Sequence, residues 1–281
     1  MDGFSSRKHQ VVSSLVEALD PERKDKSPKG FVDAPILDLI HIINAHPHYY
    51  TTSSCSGRIA IYREGTEDDA EKTSKGGVWL FVTHDPVKIS DSTEDGQIIQ
   101  LLFGSESDRV VFDSDCPTNM LQHQLIYFKF EPLILHVEAS SQDTSMRLTS
   151  LAYQAGYQNS GMTPSRSRHM LAIRSTHKLD TPIAYVDPET NKIHCLVKPA
   201  YLRLLVEMSN EKFKQNMDRM KAFESMMQAE VDHTMAKTCE ETKEERRERK
   251  KREGIARQQA MTPSEKKEQG LEGDLIDLHL E

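Results

Sequence analysis

The sequence is poor in the residues that usually announce a chemistry. Its four cysteines, Cys55, Cys116, Cys195 and Cys239, are scattered and form no CxxC pair, which speaks against a zinc ribbon or a dithiol redox site, so no metal is expected. Neither GxGxxG nor a P-loop occurs, and the HExxH and GxSxG patterns are missing too, so the common fingerprints of dinucleotide, nucleotide, zinc-peptidase and hydrolase sites are absent. No stretch approaches the ~20 apolar residues of a membrane span. The amino terminus is polar and lacks the apolar segment of a secretory signal. These features are those expected of a soluble protein of a reducing compartment, cytosol or nucleus, and a cytoplasmic placement with no membrane partner follows. Hydrophobic residues make up only 37% of the 281. The shortfall is local, in acidic stretches and the C-terminal tail. A formal net charge of -8 argues against a polyanion partner until its distribution is considered. Residues 162–178 hold Arg166, Arg168, Arg174, Lys178 and two histidines without a carboxylate, and a local basic patch matters more to a polyanion than the global sum.

Hydrophobic spacing predicts helices over residues 4–19, 33–44 and 143–155, with Asp33 as the N-cap and Pro35 in the first turn of the second. Strands are expected at 59–62, 78–82, 125–130, 133–137, 169–175, 182–186 and 193–197, the last two forming a hairpin across the turn signal 187–191. Glu131-Pro132 reads as a break between two strands. Segments 64–76 and 91–123 read as insert loops. From about residue 198 only helix formers occur, with Phe213, Met217, Met220, Met227 and Val231 at helical spacing. The expected organisation is a domain over 1–208, a long charged amphipathic helix over 209–253 that could meet a protein partner, and a disordered acidic tail over 254–281. The pattern mixes hairpins and crossovers with helices on one side, so the fold class expected from it is α+β or mixed α/β.

Four segments could carry chemistry. Residues 51–58 pack Ser53, Ser54, Cys55, Ser56, Gly57 and Arg58 into a polar, glycine-hinged loop. It is either a ligand cradle or a tight turn satisfied by its own hydroxyls. His84 follows a strongly apolar strand, as a general base or a capping histidine. Glu131 and His136 lie in a second apolar stretch, and their odd separation would put them on opposite faces of an unbroken strand. Residues 154–169 combine Ala155, Gly156, Ser160 and Gly161 with Arg166 and Arg168, suited to a phosphate or an RNA backbone.

In this order the segments 52–58, 77–84, 129–137 and 155–161 with Arg168 resemble the tRNA wybutosine-synthesizing protein 3 family, over roughly residues 7–205, in the standalone fungal-type form. The resemblance implies an S-adenosylmethionine-dependent methyltransferase whose fold is α+β, a large mixed β-sheet flanked by helices, and not the Rossmann type. Its substrate would be a ring nitrogen of the tricyclic base beside the anticodon of phenylalanine tRNA. On that reading His84 and His136 are candidate bases with Glu131 as orienter. Ser53 to Arg58, with Ala155, Gly156, Ser160 and Gly161, would hold the cofactor. Arg166, Arg168 and Arg174 would meet the anticodon-loop backbone. A non-catalytic RNA-binding module, or a scaffold built on the methionine-striped helix, are the competing expectations.

Overall fold

The computed structural model describes residues 3–18, 33–65, 77–90, 93–112, 122–163, 165, 167–239, 247–248 and 250–252. The chain divides into a unit of residues Met1–Val231 and a second of Asp232–Glu281. The tail 254–281, most of the charged segment 240–253 and the acidic loop 66–76 lie outside the described residues.

The framework is two long antiparallel strands, β1 (Tyr49–Arg63) and β4 (Gln124–Ala139). The edge strand β2 (Val78–Thr83) lies on the far side of β1. On the far side of β4 the partner changes along its length. Residues 124–130 pair with β7 (Leu179–Val186), and residues 134–139 pair with β6 (His169–Arg174), which carries the short β5 (Gly161–Thr163). β8 (Ile193–Cys195) closes the hairpin with β7 and pairs in parallel with β3 (Val110–Phe112), so the eight-stranded sheet is mixed.

Pro132 does not break β4. It falls in the gap between the β7 and β6 pairings, where a missing N–H costs no ladder bond on that side. It does mark an inversion of the pleat. The buried positions are Ile126, Phe128 and Phe130 before it, and Leu133, Leu135 and Val137 after it. Glu131 and His136 therefore both alternate away from the apolar positions, despite their odd separation.

The helices are α1 (Gly3–Ala18), α2 (Leu37–Ala45, entered through a 3-10 turn at Ala34–Ile36), α3 (Asp95–Phe103), α4 (Gln142–Gln154) and α5 (Pro199–Cys239). The expected insert loop 91–123 thus contains a helix. Ile98, Ile99, Leu102 and Phe103 of α3 are buried in the core, which is why this segment is ordered. Ser141 caps α4 by accepting the Thr144 N–H at 3.2 Å. α4 ends at Gly156, whose φ of +93° suits the left-handed closing turn, and Tyr157 N–H reaches back to Ala152 O at 2.9 Å.

α5 begins at Pro199, earlier than the sequence boundary near 209, and crosses both core clusters. Leu202, Leu205, Val206 and Phe213 pack with Ile59, Ile61 and Phe130; Met220, Phe223 and Met227 pack with α2, α4 and the second half of β4. Between them sits Asn216, 4% exposed. Its Oδ1 accepts Leu133 N–H at 2.9 Å and its Nδ2 donates to Ser56 O at 2.7 Å. The amide thus joins helix, β1 and β4 at the pleat inversion. Gly57 allows the approach. With φ at +121°, a Cβ there would stand 3.1 Å from Glu131 O and 3.3 Å from Asn216 Nδ2.

Candidate active site

Residues 51–58 are not a loop but part of β1. They remain polar because they occupy the stretch where the pleat inverts and their side chains are bonded, Ser53 to His136, Ser56 to Asp33 and Arg58 to Glu131. Ser53 is exposed and Cys55 half-buried, while Ser56 and Gly57 are buried.

Asp33, expected as an N-cap, makes no side-chain cap. Its Oδ2 instead accepts both the N–H and the hydroxyl of Ser56, at 2.9 and 3.0 Å, and faces His84 Nδ1 at 3.0 Å. Cys55 Sγ lies 3.7 Å from the same ring nitrogen. The strand β1, the end of β2 and the entry to α2 so converge on one cluster. A carboxylate partner draws the imidazole proton to Nδ1 and puts the lone pair on Nε2, the arrangement of an oriented base. Burial, with the carboxylates of Asp33 and Glu131 beyond it, pushes the Cys55 thiol up, and this outweighs Arg58 and the Gly57 N–H. Cys55 is therefore a thiol at neutral pH rather than a thiolate nucleophile. The donor atoms of Asp33, Cys55 and His84 lie within 4.8 Å of one another, close enough for a small cation. The hydrogen bonds already made by Asp33 account for the cluster without one.

Arg58 donates Nε to Glu131 Oε2 across the β1–β4 ladder, and its guanidinium lies 4.5 Å from the Trp79 ring centroid. Glu131 thus orients Arg58 rather than His136. His136 sits between two other partners. Arg174 stands 3.2 Å from Nε2, and Ser53 Oγ 2.8 Å from Nδ1. A guanidinium only donates, so His136 Nε2 accepts, Nδ1 carries the proton, and the Ser53 hydroxyl receives it. The Ser53 hydrogen is left to point at a ligand. Burial and the Arg174 charge both lower the His136 pKa. The lone pair a base would need is thus engaged by Arg174, which removes the case for His136 as base.

The helix-end segment plays a supporting part. Ala155 is buried in the core and Gly156 turns the chain, with its Cα side facing Arg219. Ser160 is 7% exposed; its hydroxyl donates to Tyr157 O and accepts Arg174 N–H at 3.1 Å, which fixes the base of the Arg174 side chain. Gly161 pairs with Ala172 at the open rim, with free space where a Cβ would go.

Arg168 joins a second charged group. Glu138, 1% exposed, accepts from Arg7 Nε at Oε1, 3.1 Å away, and from the Tyr50 hydroxyl at Oε2, and Arg168 Nε lies 3.1 Å from that same Oε2. Burial alone would raise the Glu138 carboxyl, but the hydrogen bonds from Arg7 and Tyr50 and the Arg168 charge hold it below its ordinary value. One carboxylate so steadies two arginines. Arg166 lies outside the described residues. Asp33, Asn216, Arg7 and Tyr50 were missed from sequence. Only Asn216 left a signal there, as an uncharged amide within the apolar stripe of a helix.

Comparison with known proteins identifies the family. Residues 6–229 match the family model described as Methyltransferase TYW3. The chain is 34% identical over 274 residues to tRNA wybutosine-synthesizing protein 3 of Saccharomyces cerevisiae, covering 92% of this chain and 96% of that one. It is 37% identical over 225 residues to tRNA wybutosine-synthesizing protein 2/3/4 of Arabidopsis thaliana, covering 78% of this chain but 20% of that longer protein. The solved structure of the PH1069 protein from Pyrococcus horikoshii OT3 superposes with a TM-score of 0.58 at 26% identity, covering 82% of this chain and 95% of that one.

Proposed function

The chain belongs to the Methyltransferase TYW3 family, and from that premise we propose that it methylates a ring nitrogen of the tricyclic wyosine-type base beside the anticodon of phenylalanine tRNA, with S-adenosylmethionine as methyl donor. The observation that carries the reading is the family match over residues 6–229, which span the largely buried cluster of Asp33, Cys55 and His84.

The donor set fits the cofactor. The Ser53 hydroxyl, whose hydrogen is left over by the His136 contact, is a donor for a carboxylate, and Gly161 leaves room at the rim. The bound cofactor supplies an activated methyl group on a sulfonium. Methyl transfer then asks the protein mainly for alignment and exclusion of water. His84 Nε2 takes the proton that the base nitrogen loses, while Asp33 holds Nδ1–H and balances the imidazolium that forms. Arg7, Arg168 and Arg174 face the nucleic-acid backbone. Through residue 231 the apolar stripe of α5 is covered by the domain itself, which favours an enzyme over a scaffold built on that stripe. Among the described residues no helix is long and apolar enough to cross a membrane.

The test is incubation of purified protein with S-adenosylmethionine and phenylalanine tRNA from cells lacking the enzyme, followed by mass spectrometry of the base. One added methyl supports the reading; an unchanged unmethylated tricycle rejects it. His84→Ala should cost on the order of 10²–10⁴ in turnover with cofactor affinity kept, and full activity would remove the base assignment.

A further inference from the structure

The outward face of the sheet carries a cross-strand row of aromatic rings beside the candidate active site. Trp79 on β2, Tyr62 on β1 and Tyr127 on β4 are register partners. They alternate with core residues: Ile61 precedes Tyr62, and Ile126 and Phe128 flank Tyr127, so all three rings lie on the side away from the helices. Trp79 and Tyr62 have ring centroids 4.8 Å apart. Two cations are interleaved. Arg58 lies 4.5 Å from the Trp79 ring, and Lys129 Nζ lies 5.0 Å from the Tyr127 ring and 5.7 Å from that of Tyr62. Trp79 is 44% exposed, a large apolar area to leave in water on an edge strand.

We propose that this row, anchored by Trp79 and Arg58 at its β2 end, is a stacking face for an unpaired base of the RNA substrate next to the one that reacts. Two features select a base over a phosphate. Each cation has a carboxylate partner, Glu131 for Arg58 and Asp180 for Lys129 at 2.8 Å, so the row offers π faces and planar guanidinium without excess positive charge. The cations in excess of carboxylate lie elsewhere, on the β6 side of β4, where Arg7 and Arg168 share the one carboxylate of Glu138 and Arg174 faces the His136 ring. Sheets that read single-stranded RNA divide the work in this way, with aromatic faces for bases and cations for the backbone. Arg58 also links the row to the chemistry, since it sits three residues from Cys55 on β1. The proposal rests on the methyltransferase reading for the identity of its RNA.

Trp79 is the only tryptophan of the chain, so its emission reports on this face alone. An unmodified anticodon stem-loop of phenylalanine tRNA should quench it at saturation, and S-adenosylhomocysteine alone should not. Trp79→Ala should raise KM for tRNA roughly 5- to 150-fold, the range of one lost base stack, with cofactor affinity unchanged. Trp79→Phe should recover most of that loss, which a merely structural role on an exposed edge would not require. Quenching by the cofactor product instead of RNA, or an unaltered KM in a folded Trp79→Ala, overturns the stacking face. Quenching by RNA from a protein that methylates no tRNA keeps the stacking face and rejects the substrate reading, so the two failures are told apart.

Discussion

Replacing Asn216 by leucine should unfold the protein more easily than its single hydrogen-bonding side chain suggests. The amide is buried and bonds two backbone groups that are skipped in the β1–β4 register: Leu133 N–H, just past a proline, and Ser56 O, beside a glycine in a left-handed conformation. Leucine has the same branched set of side-chain heavy atoms and suits a helix, so loss of the two hydrogen bonds is the main change, with the bulkier methyls adding to it. Each orphaned backbone group costs about 1–3 kcal/mol, giving about 2–6 kcal/mol in all, against a total stability of about 5–15 kcal/mol for a typical domain. Urea denaturation followed by circular dichroism would read this as a fall in midpoint at unchanged slope. Asn216→Asp sharpens the test. The carboxylate can still accept from Leu133 but faces the Ser56 carbonyl with an acceptor, unless it is protonated. Its folded-state pKa is therefore raised, and the sign follows: stability is greatest below the ordinary carboxylate range and is lost as pH rises through the raised value. The aspartate variant should thus regain stability relative to wild type between about pH 7 and pH 4. A leucine variant with the wild-type midpoint, or an aspartate variant indifferent to pH, would refute the idea that α5 clamps the pleat inversion.

His46 is 1% exposed, stacks on Tyr49 at 4.3 Å and accepts the His48 N–H at Nδ1. Burial, then the neighbouring His48 and Lys8, lowers its pKa to about 4. The folded state so resists a proton that the unfolded chain accepts, and up to about 3 kcal/mol should be lost as pH falls from 6.5 to about 4; His46→Asn should flatten that limb of the urea-midpoint profile, and an unchanged limb would contradict it. His136→Asn keeps a donor to Ser53 where His136→Ala does not, so calorimetry with S-adenosylhomocysteine should show affinity retained in the first and reduced about fivefold in the second, about 1 kcal/mol for one hydrogen bond. Equal loss in both would restore His136 as a proton acceptor. Raising salt should weaken tRNA binding in proportion to the phosphate contacts made, and removing Arg168 should lower the slope of log affinity against log salt by about one; an unchanged slope would take Arg168 out of the interface.

Composition and periodicity were enough to establish the mixture of helices and strands, the 187–191 hairpin and the apolar strands, because burial on a pleat writes itself into alternate residues; the mixed sheet was an expectation from the family resemblance. The four polar segments and their family resemblance were equally legible, since they depend on residue types in order. Three decisions needed the folded chain. Pro132 looked like a strand break because a local signal carries no information about which neighbour pairs where; the gap between β7 and β6 makes it harmless. Asp33 looked like a helix cap because aspartate before Ala-Pro fits one locally, while Ser56 and His84 reach it only through the sheet. His136 looked like a base because histidine usually can be one, and only Arg174, thirty-eight positions away, takes its lone pair. The sequence determines which groups are available and which faces must be buried. Their protonation and partners are set by contacts distant in sequence, where a few ångströms decide which atom donates to which.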